Sequence, residues 1–208
     1  MTNNLFKKSS LTLIVAFLSL TVLRGQETES AATLFKKGGS GSQPAVNYFV
    51  TPLLGVTSFD GSTAVLLQAR AGISINDSFS MGGYFSTSIN ELYPQSEVLS
   101  NVYMDYWSAG GFMAFTTRST RLIHWSFPLY FGYGEVEMDN EASNAGLGEA
   151  NFFQVEPSAL LHLNLTQRVR LTTGAGYRWV SETTYRGLDE SDLAGLTAYF
   201  GFVIDLTN

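Results

Sequence analysis

Apolar and polar residues alternate along most of the chain from Val46 onward. Between residues 65 and 75 every odd-numbered position is apolar, whereas the even-numbered positions include Gln68 and Arg70. Successive side chains of a β-strand point to opposite faces, so this period of two predicts strands that each have one apolar face. The same alternation returns over residues 153–165, 168–179 and 196–206.

The alternation predicts eight strands, at residues 46–58, 63–75, 79–90, 101–117, 120–136, 150–165, 168–181 and 193–206. Each is at least as long as the roughly 9–11 residues that a tilted strand needs to cross a bilayer. Ordinary strands are shorter, with about five or six residues. We therefore predict an all-β fold, an eight-stranded antiparallel transmembrane β-barrel over residues 46–208.

The connections between the predicted strands alternate in length. Short turns follow the second, fourth and sixth strands, and longer polar stretches follow the third, fifth and seventh. Membrane barrels alternate short periplasmic turns with longer outer loops in this way. A soluble lipocalin-like barrel or sandwich would carry the same alternation with its apolar faces turned inward. Strand length, aromatic placement and the N-terminal segment favour the membrane barrel.

Three prolines fall within predicted strands, namely Pro52, Pro128 and Pro157. Proline has no backbone N–H to donate to a neighbouring strand. We therefore expect β-bulges or locally missing ladder bonds at these positions.

The N-terminal segment has the pattern of a secretory signal peptide. Lys7 and Lys8 precede the apolar run 11–23, and a short polar segment follows. The run is shorter than the roughly 20 apolar residues that a spanning helix needs. We therefore predict export of the protein.

Cleavage is predicted between Gly25 and Gln26, with Ala32 as a second candidate position. This gives a signal peptide at residues 1–25. Residues 26–45 are small, polar and glycine-rich towards their end, and they predict a flexible periplasmic leader before the barrel domain. The chain has no cysteine, which excludes disulfides and a lipid-modified N-terminal cysteine.

The charge balance of the chain indicates which kinds of partner it can bind. The chain has 18 acidic and 12 basic residues and a formal net charge of −6. Nucleic acid binding depends on clustered positive charge, so no nucleic acid partner is expected.

With these features, residues 46–208 resemble the small outer-membrane β-barrels of Gram-negative bacteria, the broad group that contains OmpX-like, OmpA-like and OmpW-like proteins. The phrases "IHWSFPLYFGYG" and "VEPSALLHLNLTQRVRLTTGAGYRW" resemble segments of a barrel type in Bacteroidetes for which no activity is generally assigned. The resemblance implies location in the cell outer membrane, contact with its lipid and lipopolysaccharide, and insertion by the barrel-assembly machinery. We expect a monomer without a cofactor.

Such barrels commonly end in an aromatic residue that the assembly machinery recognises, whereas this chain ends "YFGFVIDLTN". The resemblance implies that Tyr199, Phe200 and Phe202 would have to serve from a position slightly inside the terminus.

One candidate catalytic pair is His124 with Ser126. Some outer-membrane lipid A deacylases are eight-stranded barrels with a His-x-Ser pair, in which the serine attacks an acyl ester and the histidine accepts its proton. Such a pair must face lipid, yet here Trp125 and Phe127 occupy the apolar face. The Asn-Ala-Gly that follows the serine in that family is replaced by "FPL". We therefore expect His124 and Ser126 to fill the lumen, and we predict no enzymatic activity.

The polar faces of the predicted strands carry a set of inward-pointing ionisable residues. They are Arg70, His124, Glu156, His162, Arg170 and Arg178. Pairing the sixth and seventh strands around the "LTQR" turn brings Glu156 opposite Arg178 or one pair away, which predicts a lumenal ion pair with Arg70 on the opposite wall. Eight strands leave an interior just wide enough for side chains, so a structural plug is expected. A narrow path for solutes is the alternative.

The predicted outer loops are acidic. The acidic residues in or beside them are Glu135, Glu137, Asp139, Glu141, Glu149, Glu182, Asp189, Glu190 and Asp192. Carboxylates can bind calcium or magnesium and bridge lipopolysaccharide phosphates, but no spacing matches a calcium-loop motif, so no metal site is predicted. We predict a structural or interaction role through these loops. The alternatives are an OmpW-like conduit for small or apolar molecules and a lipid A-modifying hydrolase.

Overall fold

The computed structural model describes residues 45–97, 102–140, 145–185 and 187–207. The predicted signal peptide, its cleavage site between Gly25 and Gln26, and the predicted leader up to residue 44 lie outside the described residues.

Eight long strands and three short elements make up the described part of the chain. They are β1 (Val46–Phe59), β2 (Ser62–Ile75), β3 (Phe79–Ser88), β4 (Val102–Thr117), β5 (Ile123–Asn140), β6 (Ala145–Asn164), β7 (Val169–Val180), β8 (Thr184–Tyr185), β9 (Leu188–Asp189), α1 (Glu190–Leu193) and β10 (Gly195–Asp205). Every neighbouring pair of long strands is antiparallel, and β10 pairs with β1 to close the barrel. The predicted eight-stranded antiparallel barrel is confirmed. No helix in the described ranges is long and apolar enough to cross a membrane.

The two faces of the barrel wall differ as the alternation predicts. Side chains at even positions of β2 to β7 and at odd positions of β1 and β10 point into the lumen and are mostly buried. The outer face exposes large apolar side chains, among them Leu54, Phe85, Phe115, Trp125, Phe127, Phe153, Trp179 and Phe200. An apolar exterior of this kind suits the hydrocarbon of a bilayer.

The strand prolines interrupt the ladder without shifting its register. Between β1 and β10, the pairs Val50↔Ile204 and Leu53↔Gly201 flank a gap that contains Pro52. The β5–β6 pairing has the same kind of gap beside Pro128, and the β6–β7 pairing has one at Pro157. Ladder pairs are missing at these positions, as the prolines predict. No β-bulge is found there. The register shift within β5–β6 lies elsewhere, between Met138 and Asp139.

An apolar cluster, here called the outer cluster, lies at the end of the lumen where the longer connections join the strands. Residues from the strand ends pack with three leucines of the connections, Leu92, Leu188 and Leu193, each of which is at most 1% exposed. The members from the strands include Phe59, Leu66, Met104, Tyr106, Val136, Met138 and Phe152. A second cluster, with Phe49, Tyr84, Phe112, Ala114, Tyr130 and Val203, lies farther along the barrel.

The connections after β1, β3 and β7 are joined to each other above the outer cluster. The backbone N–H of Asp60 donates to the carbonyl oxygen of Asp192 at 2.9 Å. The carboxylate of Asp60 accepts from the backbone N–H of Ser96 at 2.6 Å. Asp60 thus ties the loop before β4 to the segment that contains α1, and together they cover the mouth of the lumen.

Candidate functional site

Arg178 lies at the centre of the outer half of the lumen and is completely buried. Its Nε donates to the carbonyl oxygen of Leu193 at 2.8 Å, and its Nη2 donates to Thr57 Oγ1 at 3.3 Å. The guanidinium carbon lies 4.3 Å from the ring centroid of Phe59, within the range of a cation–π interaction. Arg178 therefore connects β7 to β1 and to the end of α1.

Glu156 occupies the position opposite Arg178, because the flanking pairs Val155↔Trp179 and Ser158↔Gly176 fix that register. Its Oε1 accepts hydrogen bonds from the hydroxyls of Tyr199 and, at 3.4 Å, Ser158.

The predicted ion pair between Glu156 and Arg178 is wrong. A salt bridge forms instead between Arg170 and Asp205, at 2.6 Å. Arg178 has a long side chain that reaches acceptors and aromatic faces at the outer end, whereas Glu156 is held by hydroxyl groups. The two side chains are thus held by different partners.

Among the described residues, Arg70 also has no carboxylate partner. Its Nη1 donates to the hydroxyl of Tyr130 at 3.0 Å, and its guanidinium carbon lies 5.5 Å from the ring centroid of Phe112. Arg70 thus approaches the lumen from the wall formed by β2 and contacts β4 and β5.

Gln154 joins the aromatic hydroxyls in the middle of the barrel. Its Oε1 accepts from Tyr106 at 2.8 Å, and its Nε2 donates to Tyr84 at 2.9 Å and to Ser108 at 3.3 Å. The space left between the described side chains at this level is too small to hold a water molecule. Side chains of β3, β4 and β6 thus meet in the middle of the lumen.

The ion pair between Arg170 and Asp205 was not predicted, although the pattern carried a signal for it. Arg170 was assigned to the polar face of its strand, and Asp205 lies at a polar position of the strand that neighbours it in the closed barrel. The register Val203↔Arg170 places Asp205 one step along the same face. Barrel closure, combined with the alternation, would have identified this pair.

His124 and Ser126 both point inward, and each is 3% exposed. His124 Nδ1 donates to the carbonyl oxygen of Arg121 at 3.1 Å, and the hydroxyl of Ser126 accepts from Thr116 at 3.1 Å. His162 faces His124 across β5 and β6, with 5.3 Å between the ring centroids. The two histidines are paired with each other in space, and neither His124 nor Ser126 reaches the lipid-facing surface.

Carboxylates form a row on the outer face of β4, β5 and β6. Asp105 pairs with Glu137, which in turn pairs with Glu149 on the next strand. Glu135 accepts from the indole N–H of Trp107 at 3.1 Å. Glu135, Glu137 and Glu149, which were predicted in or beside an outer loop, lie within strands, because β5 continues to Asn140 and β6 begins at Ala145.

The segment before β10 is ordered by Asp189, which caps α1. Its carboxylate accepts from the hydroxyl of Ser191 at 2.6 Å and from two backbone N–H groups. These hydrogen bonds hold the pKa of Asp189 below its usual value, and the bond from the Ser191 hydroxyl contributes most. In the described ranges, no three His, Asp or Glu side chains come together as a set that could hold a metal ion.

Comparisons with known proteins place the fold. No protein-family model and no curated protein matches the chain. Neisserial surface protein A has a TM-score of 0.57 at 10% identity, over 79% of this chain and 98% of its own. OprG from Pseudomonas aeruginosa has a TM-score of 0.51 at 6% identity, again over 79% and 98%. At these identities the likeness shows the fold alone, and that fold is the eight-stranded barrel of outer-membrane proteins.

Proposed function

We propose that the protein is an outer-membrane barrel of a Gram-negative bacterium that acts through its outer surface and not through its lumen. The support for this proposal comes from side chains that meet across the interior. Tyr106 and Gln154 bond to each other across the middle, and Leu92, Leu188 and Leu193 close the outer end.

The location follows from the barrel wall. Its apolar exterior would lie in the bilayer, with the short turns and both ends of the barrel domain on the periplasmic side. Insertion by the barrel-assembly machinery and a monomeric state belong to the same proposal, as does the kinship with the Bacteroidetes barrels that the sequence resembles.

The outer surface would meet its partners through the carboxylate row of Asp105, Glu137 and Glu149. Like charges on facing strand positions repel each other, so a positive partner is favoured there. Divalent cations bound to lipopolysaccharide phosphates provide such a charge, because Mg²⁺ and Ca²⁺ prefer oxygen ligands. We propose that the row contacts lipopolysaccharide through these cations.

A hydrolase role is not part of the proposal. His124 donates to a backbone carbonyl and Ser126 accepts from Thr116, and both lie inside the wall, away from lipid acyl chains. A narrow conduit is likewise disfavoured, because the middle of the lumen leaves no room for water.

Two measurements test the proposal. In planar bilayers, the refolded barrel is expected to give no stepwise conductance, and stable steps would contradict a filled lumen. Separately, lipopolysaccharide should stay with the barrel in Mg²⁺ and leave when EDTA is added.

A double variant, Glu137→Gln with Glu149→Gln, should lose most of this retention. The matched control removes two exposed carboxylates from another outer connection, by Glu182→Gln with Glu190→Gln, and should retain it. Equal retention by both double variants would rule out the row as the contact.

A further inference from the structure

Three polar side chains stand in a row across the lumenal face of β5, β6 and β7. His124 pairs with His162, and His162 pairs with Thr172, each directly across neighbouring strands. All three point inward, with exposures of 3%, 4% and 0%. The strand register therefore holds two imidazoles and a hydroxyl side by side in the interior.

Each member of the row has a buried polar atom without a hydrogen-bond partner among the described residues. These atoms are Nε2 of His124, Nδ1 of His162 and Oγ1 of Thr172. Buried polar atoms nearly always have partners, and one left alone costs about 1–3 kcal/mol. Because the three atoms occupy adjacent positions, one bound ligand would satisfy all of them.

The hydrogen bond of His124 fixes which of its nitrogens can bind that ligand. A carbonyl oxygen only accepts, so Nδ1 of the neutral ring carries the proton that is donated to Arg121. Nε2 then has a free lone pair directed away from the strand turn. Metal-binding histidines typically have their other ring nitrogen held by a carbonyl in this way.

The spacing of the two rings fits a shared metal ion. Imidazole nitrogens lie about 2.0–2.1 Å from zinc, so the ring centroids of two tetrahedral ligands are about 5 Å apart. The centroids of His124 and His162 are 5.3 Å apart.

We propose that His124, His162 and Thr172 form a binding site for a divalent transition-metal ion such as Cu²⁺ or Zn²⁺. Imidazole favours these ions over Mg²⁺ and Ca²⁺. With two nitrogen ligands and one hydroxyl, water completes the coordination. The sequence predicted no metal site, because two histidines far apart in the chain match no ligand motif.

Two arginines and a cleft lie near the row. Arg170, the basic residue of the neighbouring strand face, is paired with Asp205 at 2.6 Å, whereas Arg70, whose charge also acts on His162, donates to Tyr130. A cleft of about 430 Å³ is bordered by Arg118, Arg121, His124 and Trp125, so it reaches the row at His124. Metal would enter past His124.

The test uses Cu²⁺ and the untagged chain refolded in detergent, with excess Mg²⁺ present to fill carboxylate sites. The chain contains two histidines and no cysteine, so any imidazole ligand comes from this row. Electron paramagnetic resonance is expected to show one Cu²⁺ per chain with hyperfine coupling to two imidazole nitrogens.

Variants assign the ligands. His124→Gln and His162→Gln should each reduce the coupled nitrogens from two to one and weaken binding. Thr172→Val should weaken it less. Ser126→Ala is the matched control, since Ser126 is also buried on the lumenal face of β5, and it should leave the spectrum unchanged.

A Cu²⁺ spectrum without imidazole coupling, or coupling that survives in both histidine variants, would overturn the site. Heat-modifiable migration on a gel shows whether each variant has folded. If a histidine variant does not fold, Zn²⁺ titration of the unmodified barrel decides the question by nuclear magnetic resonance. The ring signals of both histidines shift together if the site exists, and both stay unchanged if it does not.

Discussion

Arg178 and Glu156 occupy facing positions on β7 and β6, yet their side chains bond to different groups. Arg178 donates to the carbonyl oxygen of Leu193 and to Thr57, whereas Glu156 accepts from Tyr199 and Ser158. Two buried charges thus stabilise separate parts of the interior, the first at the outer mouth and the second within the wall that contains β10.

Replacing Arg178 should destabilise the barrel strongly. Arg178→Met removes two charge-assisted hydrogen bonds and the contact with Phe59 and leaves buried acceptors unpaired, so a loss of about 3 kcal/mol is expected. Urea unfolding of the refolded protein in micelles measures it. Arg121→Met, at an exposed turn, is the control and should stay within about 0.5 kcal/mol. Equal losses would contradict the central role of Arg178.

Double-mutant cycles should separate the two partners of Glu156. The cycle of Glu156→Gln with Tyr199→Phe should give a coupling of about 1 to 2 kcal/mol, because these side chains are in direct contact. The cycle of Glu156→Gln with Arg178→Met should give a smaller coupling. A larger coupling to Arg178 would support the ion pair that the sequence predicted and would contradict the side-chain arrangement described above.

Acid should loosen the cap of α1. The pKa of Asp189 is lower in the folded chain than its ordinary value of 3.8, because Ser191 and two backbone N–H groups bond to the charged carboxylate. The cap therefore contributes stability above that value and loses it as the pH falls through the folded pKa.

Hydrogen exchange at the backbone amides of Ser191 and Asp192, corrected for the intrinsic rate, should become less protected below pH 3.8. Asp189→Ala should remove this change, because the variant lacks the titrating group. Protection that stays constant on acidification would show that the charge of Asp189 does not hold the cap.

A glycine pair brings β4 and β5 close together. Gly110 lies directly opposite Gly132, and a Cβ added at Gly132 would lie 2.8 Å from both Gly110 Cα and the Tyr84 hydroxyl. Gly132→Ala should therefore cost about 1–3 kcal/mol through overpacking. Gly83→Ala is the control, because its added Cβ meets nothing nearer than 3.6 Å. Thermal unfolding of both variants provides the comparison.

The wall of the barrel could be predicted from the sequence because lipid imposes a simple rule. Within the membrane one face of every strand must be apolar, so Arg70 and Arg178 were assigned inward by position alone, and the observed burial follows that assignment. Connection lengths then gave the order of the strands. The two-residue period and the lengths of the turns are local properties of the sequence, so both could be predicted from it.

The end of β5 and the start of β6 were predicted at the wrong residues because the same rule was applied beyond the membrane. Beyond the membrane, both faces of a strand meet water, so the contrast between apolar and polar positions fades. Glu137 and Asp139 were assigned to a loop region although they continue β5 as paired residues. The alternation of apolar and polar residues that identifies strands in lipid does not identify them outside the membrane.

The partners of the lumenal side chains could not be derived from register. Strand register determines which Cα atoms lie opposite each other. A long side chain such as that of Arg178 can still reach acceptors on several strands and connections. Leu193, whose carbonyl oxygen it binds, belongs to a connection without any periodicity. The position of this connection over the lumen therefore could not be predicted from the sequence. The reason why Glu156 and Arg178 do not pair could not be predicted either.

The seam between β1 and β10 governs the order in which the interior can be completed. Residues as distant in the chain as Val50 and Ile204 meet there, and contacts of such long range form slowly, because a large loop must close first. Thr57 lies on β1, so Arg178 gains this hydrogen bond only when the seam has joined. Closure of the seam therefore couples the two ends of the barrel domain to the hydrogen bonding of its most deeply buried arginine.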